Sequence, residues 1–581
     1  MSQSDDKLVR FAPLSLPAFV EGILNGLGFT LDLTASFRRR YPRHAQPISW
    51  GWKLPALLAA ALVILPISVI VLSWGSDQSD IWAHLIETQL GRLLGNTLKL
   101  LVGVGIWTML LGVSLAWLVA MCEFPGRRLL DWALMLPLAI PTYVVAFVAL
   151  GLMSYSGPIH TAARVWFGDE VWFPEIRSSV GVMLVMTTVL YPYVYMLARS
   201  AFLAQGRNLM DASRLLGSSP WRSFWRVALP MARPAIAAGT ALALMETLAD
   251  FGAVAVFNYD TFTTAIYKSW FGFFSLPAAA QLASLLLLFV ALALYAEQSA
   301  RGNGRLHQGA TRKSGDRYQL TGLKAWAASG YCLAVVILAF VLPVGQLAVW
   351  VWETSAQDIN EVYWRLIGHT FSLGAMAAVI AVALAILVAY QQRLQQRTQL
   401  GPAERIATLG YALPGSVLAV GIMLAFAKID SGIINPLREF MGLPASQVLV
   451  GSLMALVIAY VIRFFSVAFG PIQSSFERIK PSYQEAAQTL GSDQWQVLKR
   501  IYAPLLAPGI FTALLLVFVD TMKEMPATLL LRPFGWDTLA VRIYEMTSEG
   551  EWERAALPAL TLVLISIPPV VIMIRRSRQT R

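Results

Sequence analysis

Apolar runs of roughly 20 residues, the length that crosses a bilayer as a helix, recur along nearly the whole chain with short polar segments between them. The pattern predicts twelve helices, near 54–74, 95–121, 132–155, 179–203, 233–256, 276–297, 325–351, 369–390, 405–427, 448–470, 506–530 and 555–574. Composition agrees: of 581 residues, 57% are hydrophobic and 14% are charged, against about a quarter charged in an ordinary soluble protein. The fold class is an all-α polytopic membrane protein.

The net charge of +11 does not point to nucleic acid, because the basic residues sit at the ends of apolar runs, as in "SFRRRYPRH" (Ser36–His44) and "RRSRQTR" (Arg575–Arg581). That placement orients a chain in a membrane. Residues 75–91 carry Asp77, Asp80 and Glu87 without Lys or Arg, and 353–364 carry Glu353, Asp358 and Glu361, whereas 301–324 hold six basic residues against Asp316. Twelve spans with the N-terminus inside put every one of these segments on the side the charge rule requires, with both termini cytoplasmic. Cys122 and Cys332 have no metal-site or disulfide spacing, and the histidines form no cluster, so no metal ligands are assigned. The first ~50 residues lack a signal peptide's h-region and cleavage site. The apolar stretch Leu16–Leu33, interrupted by Glu21, Asn25 and Asp32, reads as interfacial at most.

The two halves repeat. "RLLGNTLKL" (Arg92–Leu100) matches "RLIGHTFSL" (Arg365–Leu373) 273 positions later. Asp211–Ile236 aligns without gaps with Glu485–Ile510 at an offset of 274, with nine of 26 columns identical. Parallel repeats of this kind imply a pseudo-two-fold axis along the membrane normal and a route between the halves. The chain divides into a cytoplasmic segment 1–53, a first transmembrane domain 54–298, a linker 299–324, a second transmembrane domain 325–574 and a basic tail 575–581.

Within the repeat, "DASRLLGSSPW" (Asp211–Trp221) and "EAAQTLGSDQW" (Glu485–Trp495) each follow the fourth span of their half. Each reads as two short helices around a glycine. Ser482 and Glu485 have capping-box spacing, Gly491 suits the left-handed position that ends a helix, and Asp493 caps the next. In the first copy Ser219 is the cap and Pro220 the first helical residue. A plain surface hairpin is the alternative, but one that recurs in both halves calls for a common cause.

These loops resemble the "EAA" motif of ABC-importer permeases, Glu-Ala-Ala, three residues, Gly, then nine residues and Ile-x-Leu-Pro. "EAAQTLG" matches its first part, while Ala503 departs from the usual Leu; Asp211 and Ser213 depart in the first copy, whose tail "VALP" is closer. The resemblance implies a type I permease fold with cores at about 92–298 and 365–574 and coupling loops 208–228 and 482–502. Asp211, Ala212, Gly217, Glu485, Ala486, Ala487 and Gly491 would then dock on separate ATPase subunits. It also implies two ATPase copies, a periplasmic substrate-binding protein, and a bacterial inner membrane. No G-x-x-x-x-G-K-[ST] loop occurs, so this chain is expected to be no enzyme and to bind no cofactor, with ATP and Mg²⁺ on the partner ATPase.

Ionisable residues inside spans are expensive and functional by default. The fifth span holds Glu246 and Asp250, and the eleventh holds Asp520 and Glu524 at the repeat offset. The i, i+4 spacing puts both acids of a pair on one helix face, with Lys523 the nearby cation. They serve either as interhelical polar packing or as a passage for a hard cation that prefers oxygen ligands.

The stretches Glu246–Phe271 and Lys523–Leu560 resemble fused ferric-iron ABC permeases. That resemblance implies ferric iron as cargo; related permeases carry thiamine or polyamines, and an ion-gradient-driven secondary transporter also has twelve spans in parallel halves.

Overall fold

A computed structural model describes residues 49–169, 172–204, 219–301, 317–395 and 400–579. Among them, eleven helices are long and apolar enough to cross a membrane. In chain order these first to eleventh spans are Trp50–Gly75, Leu90–Met121, Thr142–Phe167, Ser179–Ala204, Trp221–Ala249, Leu276–Glu297, Leu323–Ser355, Glu361–Leu394, Gly415–Phe440, Leu453–Arg478 and Gln494–Lys523. The shorter apolar helix Ala556–Ile572 takes the twelfth place. Every expected helix is present, and the boundaries are displaced in matching pairs in the two halves.

The third and ninth spans start about ten residues later than their hydrophobic runs. Proline lacks an amide donor and holds φ near −65°. Pro141 (ψ 146°) and Pro414 (ψ 142°) are extended, each preceded by a short 3₁₀ turn, Leu136–Ala139 and Leu409–Ala412. The fifth and eleventh spans stop early, at Ala249 and Lys523, although the apolar run continues. Asp250 (ψ 126°) and Glu524 (ψ 110°) leave the helical region there, and the chain restarts in short helices Gly252–Val256 and Pro526–Leu531.

The halves interlock through their leading helices. The first span packs on the eighth and ninth, where Ala56, Ala59, Val63 and Val69 share one buried cluster with Ala377, Ala381, Leu418 and Ile422. The seventh packs back on the first half, where Ala325, Ala328 and Cys332 join Leu115, Val119 and Leu130. Lipid tails are as apolar as leucine, so such contacts rest on close packing of small residues rather than on a hydrophobic drive between helices. Near the start of the seventh span, Tyr318–Gln319 pairs in parallel with Cys122–Glu123. Glu123 there accepts from Arg127 Nε at 3.0 Å and Arg317 Nη1 at 3.3 Å.

Candidate functional site

The breaks in the fifth and eleventh spans place their acids. A helix begins with unpaired amides, and a carboxylate just before its first turn can accept them. Asp250 Oδ1 accepts from the Ala253 and Val254 amides at 2.9 and 3.3 Å, and Glu524 Oε1 accepts from Ala527 at 3.1 Å. These two acids therefore do not continue the face of Glu246 and Asp520 along one helix, as i, i+4 spacing predicts. They sit on extended backbone just past it, because capping a new helix satisfies buried amides that a bilayer leaves without water.

All four carboxyl groups nevertheless line one cavity of about 160 Å³ between the halves. Its wall also includes Tyr143, Tyr193, Tyr411, Arg463 and Lys523. Tyr411 donates to Glu246 Oε1 at 2.7 Å, and Lys523 Nζ donates to the Leu138 carbonyl at 3.0 Å; both bonds join one half to the other. Arg463, from the tenth span, lies 3.2 Å from Glu524 Oε2. Lys523 is thus joined by a second cation. Arg463 is 61 positions from Glu524 in sequence, inside an otherwise apolar span "VIRFFSV"; that interruption is the signal that identifies it.

The two halves hold their capping acids differently. Thr142 donates its hydroxyl to Asp250. Its counterpart 273 positions on is Gly415, where an added Cβ would collide with the Glu524 carboxylate and with Arg463 Nη1. The missing side chain makes room for the guanidinium.

Beside the cavity, Phe251 meets Tyr267 and Tyr544 with ring centroids 5.2 and 5.5 Å apart. These tyrosines hold equivalent places on the short helices Phe262–Phe271 and Leu539–Ser548 and lie 6.4 Å from each other. Burial pushes both phenols above their usual range, so they stay neutral. His369 stacks on Trp536 and contacts the Asp537 carbonyl, as Asn96 contacts that of Asp260. Among the described residues no group of three or more His, Cys, Asp or Glu is placed to hold a metal ion.

The hairpin of the second half is built as two short helices, Ser482–Thr489 and Gln494–Val497. Gly491 is left-handed (φ 83°), and Asp493 and Gln496 form a capping box. Ser482 and Glu485 do not: the first helix begins after Pro481, leaving Ser482 as its first helical residue. Ala487 packs inward, whereas Tyr483, Glu485, Ala486 and Leu490 are exposed. In the first half, Ser219 Oγ accepts the Arg222 amide at 3.3 Å; Asp211, Ala212 and Gly217 lie outside the described residues. A π turn leads into the fifth span at Phe224–Ala228 and into the eleventh at Leu498–Tyr502, at equivalent positions.

A repeated bundle with a polar cavity between its halves is the architecture of a transport subunit, and known proteins of similar sequence agree. Residues 109–301 and 381–575 each match the family of binding-protein-dependent transport system inner membrane components, and the chain belongs to that family. It is therefore a multi-pass permease of an inner membrane. It is 28% identical over 497 residues to the Fe(3+)-transport system permease protein FbpB 2 of Haemophilus influenzae, covering 84% of this chain and 90% of that one. The molybdenum transport system permease protein ModB of Escherichia coli is 33% identical over 186 residues, 32% of this chain and 80% of its own. The sulfate transport system permease protein CysT of Escherichia coli is 28% identical over 248 residues, 41% and 87% respectively.

Proposed function

We propose that the chain is the permease of a ferric-iron importer. A periplasmic binding protein delivers the metal, and two separate ATPase subunits dock on the cytoplasmic hairpins, with both termini on that side. ATP binding and hydrolysis by those subunits move the hairpins, and the spans attached beyond the π turns alternate the cavity between the two faces of the membrane. The observation that carries the metal reading is the carboxylate-lined cavity, since hard cations take oxygen ligands. The similarity to the Fe(3+) permease across both halves supports it.

A second reading, an oxyanion as cargo, has Arg463 and Lys523 and the similarity to molybdenum and sulfate permeases in its favour. Uptake of ⁵⁵Fe(III) by cells with and without the chain separates the two, with thiamine, spermidine, molybdate and sulfate as unlabelled competitors. Chain-dependent iron uptake that resists all four supports the ferric reading. Chain-dependent uptake of labelled molybdate or sulfate, without iron, replaces it.

A further inference from the structure

The first span is held at its two ends by different halves. It has 26 residues, about 39 Å of helix at 1.5 Å per residue. At its N-terminal end the half-buried Trp52 ring lies between Tyr390 of the eighth span, edge-on with centroids 5.0 Å apart, and Trp495 of the second hairpin, at 6.0 Å. At its far end the partner is the sixth span, in the first half. Trp74 Nε1 donates to Ser284 Oγ at 2.9 Å, Gln281 Nε2 donates to the Ser73 carbonyl at 3.0 Å, and Ile70 is buried in one cluster with Leu286.

Two tyrosines hold the hairpin end of this strut. Both Tyr390 and Tyr502 are fully buried, with ring centroids 5.6 Å apart. Tyr390 donates its hydroxyl to the Gln494 carbonyl at 2.7 Å, and Tyr502 donates to Gln484 Oε1 at 3.0 Å. Each helix of the hairpin is therefore gripped once. Coupling between distant sites is carried by packed side chains, hydrogen bonds and rigid elements in unbroken contact. Such a chain runs here from the hairpin through Trp52 and the first span to the sixth span of the other half.

Among the described residues the repeat does not reproduce the Trp52 contact. Trp221 and Trp117 stand 274 and 273 positions before Trp495 and Tyr390. Trp221 packs on Phe224 and Trp225 of its own span, and Trp326, 274 positions after Trp52, is 69% exposed.

We propose that Trp52 is a positioning residue for transport: it seats the second hairpin on the first span, so that the stroke of the ATPase docked there is delivered to both halves, and the two ATPase sites drive the permease unequally. This rests on the reading of the hairpin as the docking element.

The test uses the whole transporter, with its ATPase subunits and binding protein, in proteoliposomes, and reads cargo taken up per ATP hydrolysed. The cargo is ⁵⁵Fe(III), or labelled molybdate or sulfate should the uptake assay above select an oxyanion. Trp52→Ala is expected to lower that ratio by about tenfold, the scale of two lost ring contacts, with the ATPase still co-purifying. Trp52→Phe, which keeps a ring between Tyr390 and Trp495, should recover most of it, and Trp326→Ala should match the wild type. Should Trp52→Ala fail to assemble, Trp74→Phe removes only the indole donor to Ser284 at the other end of the span, and it too should lower the ratio. A wild-type ratio in these variants, an equal loss in Trp326→Ala, or hydrolysis and uptake falling in step overturns the inference and leaves the hairpin reading standing. Retention of the ATPase by Gly491→Pro removes both.

Discussion

Asp250 and Glu524 stand 274 positions apart, and each ends a long helix and caps the short one that follows. The equivalence stops at their second partners, a hydroxyl from Thr142 for Asp250 and the Arg463 guanidinium for Glu524. Their substitutions therefore differ in cost. Asp250→Ala removes a cap, about 1 kcal/mol, and Asp250→Asn restores most of it. Glu524→Ala also strands a buried arginine, about 3–5 kcal/mol. Thermal unfolding of the detergent-purified transporter should rank them in that order, and equal losses would refute the ion-pair account.

Glu246 and Asp520 carry no capping duty, so charge and fold separate cleanly there. Glu246→Gln and Asp520→Asn are expected to leave the gel-filtration profile unchanged. Initial uptake of ⁵⁵Fe(III) in proteoliposomes should fall by about tenfold or more, the scale of a single charge-assisted interaction with the cargo. Wild-type rates in both variants would return these acids to interhelical packing.

Gly491 joins the two helices of the hairpin at φ 83°. A side chain there costs about 1–2 kcal/mol, and asparagine tolerates it best among the others. Gly491→Asn should keep the ATPase bound on affinity purification, Gly491→Ala should weaken it, and Gly491→Pro, which cannot take a positive φ, should lose it with the chain still inserted. Full retention by the proline variant would exclude the hairpin as the docking element.

Because the first and seventh spans are buried on the opposite halves, the linker is expected to be dispensable for assembly. Two co-expressed pieces, 1–309 and 310–581, should co-purify in detergent without added cross-linker, because each leading helix is buried on the opposite piece. Separation of the pieces on a single tag would show that the interlock is too weak to hold them.

Much of the architecture is legible along the chain. The twelve apolar runs mark the spans because a bilayer admits only helices that satisfy their own backbone. The repeat offset pairs Glu246 with Asp520 and Asp250 with Glu524, and it also marks both copies of the recurring loop sequence. Gly491 and Asp493 are readable because left-handed turns and caps are local. Ser482 misleads because Pro481, one residue earlier, sets the helix start.

What the sequence determined by itself is therefore the class of molecule, its internal symmetry and its locally encoded turns, each written in a window of a few residues. Tertiary structure alone decided which acids cap and which face the cavity, that Arg463 reaches Glu524, and that the leading helices exchange sides. Those outcomes depend on which faces of distant helices meet across the pseudo-two-fold axis. An apolar span surrounded by lipid and protein carries no periodic pattern that distinguishes the two, so only the packed bundle selects the neighbours.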